Sequence, residues 1–196
     1  VTVLFLAANP VGTGSLQLDE EARAIQEKIR MSEYRDSVRF ETRWATRAVD
    51  ILQAINETNP AIVHFSGHGA TTGELVLLNT DGSAKLVSKE AISAAIATAS
   101  DTIRLVVFNA CFSEIQAQSI VGYIESAIGM ATSISDEAAR VFAAQLYSSI
   151  GFGHSIQTAF NQAIALLMLE GIPEEDTPKL YVKDKIDPNE LVFVQA

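Results

Sequence analysis

With 196 residues, 48% of them hydrophobic and 19% charged, the chain has the size and composition of one compact α/β domain, and two independent domains are a tight fit. Its net charge of −10 repels phosphate backbones and anionic lipid, so neither nucleic acid nor membrane is expected as a partner. No apolar run reaches the roughly 18–20 residues of a membrane helix, no signal-like core is present, and a single cysteine excludes an intrachain disulfide; a cytoplasmic location is expected.

Val1–Ala8 is almost continuously apolar and rich in β-branched residues at its start, as a central strand covered on both faces would be. It opens without an initiator Met, so residues 1–196 read as one domain excised from a longer protein. Asn9–Leu18, with its Pro and two Gly, reads as a loop. Asp19 then caps a helix presenting Ala22, Ile25 and Ile29, which ends near Met31–Ser32. Val38–Trp44 is a second strand, and Thr46 caps a helix carrying Val49, Leu52 and Ile55. Trp44, the only tryptophan, is expected in the core.

Ala61–Ser66 forms a third strand after Pro60, and Glu74–Leu78 with Ala84–Val87 flank Asn79–Ser83 as a hairpin. Ser88 caps the next helix, to about Ala99. Ile103–Phe108 is the most hydrophobic strand, a helix begins near Ser113, and a further strand covers Ile124–Gly129. Helices over Asp136–Ser149 and Ser155–Leu169 follow, then an acidic loop, Gly171–Pro178, and short strands at Lys179–Val182 and Leu191–Val194. Strands alternating with amphipathic helices predict a mostly parallel sheet with helices on both faces.

In such sheets active groups gather beyond the carboxyl ends of central strands. His68, between Gly67 and Gly69, follows the third strand, and Cys111 follows the fourth after Asn109-Ala110, so neighbouring strands would bring imidazole and thiol together. The glycines allow close approach of backbone to a scissile carbonyl, and the amides of Gly69 and Cys111 are the natural oxyanion donors. Ser113-Glu114-Ile115-Gln116 fits a capping box, which places a helix N-terminus beside the thiol and favours thiolate.

Other chemistries fit less well. A zinc site from His64, His68 and Cys111 fails because residues four apart on a strand lie roughly 13 Å from each other. Val11-Gly12-Thr13-Gly14 lacks the third glycine of a dinucleotide loop and the Gly-Lys-Ser/Thr of a P-loop, which argues against a flavodoxin-like ligand-binding module. No cofactor is required. His64, inside a strand, is expected to be structural or to support the site; His154 should face solvent, and Glu174-Glu175-Asp176 should be a solvated loop.

The run His64-Phe65-Ser66-Gly67-His68-Gly69 with Asn109-Ala110-Cys111-Phe112-Ser113 resembles CHAT domains, bacterial relatives of caspases, metacaspases and separase. Ala7-Ala8-Asn9-Pro10, Leu18-Asp19-Glu20-Glu21, Ile128-Gly129-Met130 and Ile134-Ser135-Asp136-Glu137-Ala138-Ala139 extend the resemblance over most of the chain. It implies a caspase-haemoglobinase-like α/β sandwich and a cysteine endopeptidase with a His68/Cys111 dyad, acting on a protein or peptide. It further implies a prokaryotic defence or signalling role, gated by a fused or associated sensor.

Asn109 stands where caspases carry Gln, so aspartate specificity does not transfer. Asp136 occupies the place where separase-like relatives put an S1 aspartate for a basic residue, although Ser135 or Asp136 equally serves as a helix cap. Ser66 and Asn109 are assigned to substrate binding beside it. The interval from Cys111 to Ile124 holds one short helix and no linker to cut, so activity is expected in a single chain. A catalytically silent interaction module is the remaining alternative, and such modules normally lack the His or the Cys.

Overall fold

The computed structural model describes residues 1–195. Eight strands form one sheet: β1 (Thr2–Ala8), β2 (Arg39–Arg43), β3 (Ile62–Gly69), β4 (Leu75–Leu78), β5 (Ala84–Val87), β6 (Leu105–Asn109), β7 (Ser126–Met130) and β8 (Pro178–Val182). The main path runs β2-β1-β3-β6-β7-β8, parallel except for β8 at one edge, while the β4–β5 hairpin pairs with the end of β3. The helices are α1 (Leu18–Arg30), α2 (Ile51–Thr58), α3 (Lys89–Ala97), α4 (Glu114–Ile120), α5 (Asp136–Gly151) and α6 (Ile156–Leu169).

Side-chain alternation divides each central strand between two cores. Val3, Phe5 and Ala7 of β1, with Ile62, Leu105 and Val107, meet α1, α5 and α6. Leu4, Leu6 and Ala8, with Val63, Phe65, Val106 and Phe108, meet α2, α3 and α4. Burial on both faces is why β1 and β6 read as nearly continuous apolar runs.

Several local expectations are corrected. Gln17, not Asp19, holds the N-cap position of α1, and Asp19 lies in the first turn, where its charge suits the helix dipole. Thr46 does not cap; its Oγ1 donates to the Arg43 carbonyl. A 3-10 turn over Ala48–Asp50 then shifts the phase of α2, which buries Ile51, Ala54 and Ile55 and leaves Val49 and Leu52 exposed. Trp44 is 50% exposed, because β2 is an edge strand. Leu191–Val194 packs into the core through Leu191, Phe193 and Val194, but among the described residues it pairs only through one bridge, Val192 with Ser155. His154 is exposed, as expected. No helix among the described residues is long and apolar enough to cross a membrane.

Candidate active site

β3 and β6 are parallel neighbours with Ser66 opposite Asn109. His68 and Cys111 each lie two residues further along, so the register puts them side by side. β3 does not end at Ser66 as the sequence suggested: pairing of His68 with Val76 of β4 carries it on to Gly69 and fixes the backbone of His68. Glu21, Ser66, His68, Asn109, Cys111 and Asp136 all line one cleft.

His68 Nε2 lies 2.7 Å from the carbonyl oxygen of Gly14, with the Asn9 side-chain amide 3.3 Å away. A carbonyl only accepts, so the proton sits on Nε2 and the Nδ1 lone pair is the one available for base chemistry. Gly14 belongs to the loop that the sequence separates from a phosphate loop, and its part here is to hold an imidazole.

Cys111 is half-buried. Its Sγ accepts from the Ile134 amide at 3.4 Å and approaches the Ile134 carbonyl at 3.8 Å, and no hydrogen bond joins it to His68 in this conformation. Such pairings are commonly loose until substrate arrives.

The turn after the thiol is strained. Phe112 has φ +56, a left-handed conformation costing roughly 1–2 kcal/mol for a residue with a Cβ. Its amide donates to the Thr132 carbonyl. The capping box is not made: Ser113 Oγ donates to the Phe108 carbonyl and accepts from the Met130 amide, tying β6 to β7 across the turn. Gln116 instead donates its side-chain amide to the Gly73 carbonyl. The thiol is thus held by a tight turn and not by a capped helix.

Gly69 has no room for a side chain, since a Cβ there would stand 1.8 Å from the Cys111 carbonyl oxygen. The two backbones expected to supply oxyanion donors are therefore in direct contact, and the Cys111 amide makes no backbone hydrogen bond among the described residues.

Beneath the cleft lies a buried polar chain that the sequence reading did not assemble. Glu21, 4% exposed, accepts from His64 Nε2 and Asn109 Nδ2 at 2.8 Å each and from Ser66 Oγ at 2.5 Å. His64 Nδ1 lies 3.0 Å from the Tyr147 hydroxyl. One donor scheme satisfies the chain: Tyr147 O–H donates to Nδ1, and Nε2–H donates to Glu21. Burial, and secondarily the Glu21 charge, pushes the Tyr147 phenol well above its usual range, so it remains a donor. Asn109 Nδ2 also reaches the Ala139 carbonyl at 3.1 Å, while Asn109 Oδ1 is buried with no partner among the described residues. A signal for Glu21 was present, because it lies three residues after Leu18 and four before Ile25, on the apolar face of α1.

Asp136 opens α5, but Ser135 is its cap: Ser135 Oγ accepts from the Ala138 amide. Glu174, expected to be solvated, takes the Ser135 amide at 2.9 Å and its hydroxyl at 2.6 Å. Asp136 is thereby left to the cleft, where its Oδ2 accepts from the Gln17 amide at 3.3 Å.

A family model described as the CHAT domain matches residues 14–171. A Roc-COR-CHAT protease from an unknown prokaryotic organism is 26% identical over 170 residues, covering 80% of this chain and 16% of the relative's own length. The matched segment is therefore about a sixth of that relative's length. Among solved structures, a secreted C11 cysteine protease from Bacteroides thetaiotaomicron, in complex with an irreversible peptide inhibitor, is similar at TM-score 0.61 and 10% identity, over 92% of this chain and 66% of its own. The Arg-specific cysteine proteinase gingipain R matches at TM-score 0.64 and 12% identity, over 97% and 47%. Separase of the Saccharomyces cerevisiae separase–securin complex matches at 0.54 and 15%, over 93% and 12%. At these identities the likeness shows the fold, a caspase-like α/β sandwich.

Proposed function

The chain belongs to the CHAT domain family of caspase-like cysteine proteases, and from that premise we propose that it is a cysteine endopeptidase with Cys111 as nucleophile and His68 as base and acid. The observation that carries the reading is the hydrogen bond from His68 Nε2 to Gly14, which leaves Nδ1 without a partner among the described residues, on the strand adjacent to the one that Cys111 follows. Nδ1 takes the thiol proton, and the thiolate attacks the peptide carbonyl. The developing oxyanion meets the amides of Gly69 and Cys111. Collapse breaks the C–N bond as His68 returns the proton to the leaving amine. Water, deprotonated by His68, then cleaves the thioester and restores the thiol. Gly14 stabilises the imidazolium at each passage.

Iodoacetamide labelling of Cys111, followed by mass spectrometry, tests this pairing without a substrate. His68→Ala should slow labelling at neutral pH by about tenfold or more, because thiolate is the reacting form. Equal rates in the two proteins would show that His68 does not act on the thiol.

The substrate class follows from the cleft's acceptors. Asp136 is free of capping duty, and among the described residues the buried Asn109 Oδ1 has no partner and neither lysine nor arginine lines the cleft. A basic residue on the acyl side of the scissile bond satisfies these groups, with Ser66 alongside; an Arg pairs bidentately with Asp136. Fluorogenic substrates with Arg or Lys at P1 should be cleaved well over tenfold faster than those with Asp. Asp136→Asn should erase that preference with little change in thermal midpoint, since Ser135 holds the helix cap. A preference for apolar P1 residues that survives Asp136→Asn overturns the assignment.

The domain is one part of a longer multidomain cytoplasmic protein, as the coverage of the Roc-COR-CHAT relative supports. The thiol's attachment to Ile134 offers a route to control: a fused sensor that moves the segment after β7 releases Sγ toward His68, without chain cleavage. A prokaryotic defence or signalling system is the setting this gating suits.

A further inference from the structure

The segment after β2 leaves the chain's only tryptophan in an unusual position. Ala45 adopts φ +51, and that left-handed turn holds Trp44 over Phe5, ring centroids 5.9 Å apart, with half its surface in water. A lone exposed aromatic means little. Trp44, however, forms one wall of a groove whose other apolar surfaces are Ala7, Leu16, Leu18 and Ala45. The small side chains at positions 7 and 45 leave the space open.

The groove is continuous with the cleft. Leu16 and Leu18 line both, and Asn9, which lines the groove, lies 3.3 Å from His68 Nε2. Its only ionisable lining residue is Asp19, which is exposed and makes no salt bridge among the described residues. Arg43, the neighbouring cation, is engaged by Glu57 at 3.1 Å and Glu41 at 3.7 Å.

We infer that this groove is a second substrate subsite, one that takes a lysine or arginine on the leaving-group side of the scissile bond. The inference rests on the peptidase reading above. The groove lies beyond His68, and the imidazole must reach the leaving amine, so the chain that follows that amine runs toward Trp44. The aliphatic stem of the bound residue covers the indole, its cationic head stacks on the ring and reaches Asp19, and the chain's net charge of −10 adds to the attraction. An acidic residue meets Asp19 instead and is rejected.

Two substrate sets applied to the chain separate this inference from the reading beneath it. Coumarin amides end at the scissile bond and never reach the groove; internally quenched peptides carry Arg, Lys, norleucine or Glu at each of the four following positions. Trp44→Ala should leave kcat/KM on the coumarin amides unchanged and lower it about tenfold on peptides with Arg or Lys at one following position. Trp44→Phe should restore most of that loss, and Asp19→Asn should reduce the preference for Arg over norleucine. In Cys111→Ala protein, Trp44 is the sole indole, so its emission should shift on titration with the long peptide and not with one truncated at the scissile bond. Equal kinetics for wild type and Trp44→Ala on every long peptide, with both substrate sets cleaved, would overturn the groove alone. No cleavage of either set by wild type, together with equal iodoacetamide labelling rates in wild type and His68→Ala, would overturn the peptidase reading, and an indole that ignores the long peptide would overturn the groove whatever the activity.

Discussion

Cys111→Ala and His68→Ala are each expected to reduce peptide hydrolysis by at least about 10^4-fold while leaving the protein folded. The expected effect is large because in the proposed mechanism the thiol supplies the bond-forming electrons and the imidazole moves every proton in the cycle. The double variant should be no slower than the poorer single variant, since neither group acts without the other. Neither substitution removes much packing: Cys111 is half-buried, and His68 contributes its hydrogen bond to Gly14 at the cleft surface. Far-ultraviolet circular dichroism and the thermal midpoint should stay near wild type. His64→Gln, a change in the buried chain and not in the dyad, should retain more activity than His68→Ala. Purified, folded Cys111→Ala protein that turns substrate over at more than about 1% of the wild-type rate would end the assignment of the nucleophile, given the losses typical of such units.

The parts of the fold that the sequence made legible are those where one periodicity dominates. β1 and β6 are buried on both faces, and their apolar runs announce it. The β4–β5 hairpin was readable from Asn79–Ser83, whose turn residues do not depend on the rest of the chain. Misreadings arose where a long-range partner decides. The phase of α2 follows a 3-10 turn at Ala48–Asp50 that has no distinct sequence mark, so Val49 and Leu52 fell on the wrong face. Trp44 was placed in the core because nothing local says that β2 is an edge.

The candidate site divides in the same way. The placement of His68 and Cys111 followed from strand ends and one adjacency, both of which are visible in the pattern. Gly14, however, acts through its backbone oxygen, which has no side-chain signature. Ser135 and Asp136 are equally good caps by composition, and Glu174, 39 residues from Ser135, fixes their roles. Ser113 and Gln116 matched a local motif, but each found a better partner across the fold, Ser113 on β6 and β7 and Gln116 on Gly73.

Glu21 is the residue whose loss should damage both stability and activity. Its carboxylate joins three elements: α1, which carries it; β3, through His64 and Ser66; and β6, through Asn109. Glu21→Ala would leave three buried donors without their acceptor and open a void beneath the cleft. At about 1–3 kcal/mol for each unsatisfied group, with partial relief from water entering the space, a net loss of roughly 3–5 kcal/mol is expected. For a domain of this size that corresponds to a fall in thermal midpoint of roughly 8–15 °C. Glu21→Gln keeps the volume but turns an amide N–H2 toward at least one of the same donors, so it should fall between wild type and Glu21→Ala. The activity effect has a separate signature. Ser66 and Asn109 form the cleft floor and do not touch the scissile bond in this reading, so loosening them should raise KM for basic P1 substrates more than it lowers kcat. His64→Gln should reproduce part of the loss, and the double variant with Glu21→Gln should fall short of the sum, because both changes cut one hydrogen-bonded chain. A Glu21→Ala protein with a wild-type thermal midpoint would show that water satisfies the three donors as well as the carboxylate does, and that the chain from Tyr147 to Asn109 does not hold the floor of the cleft.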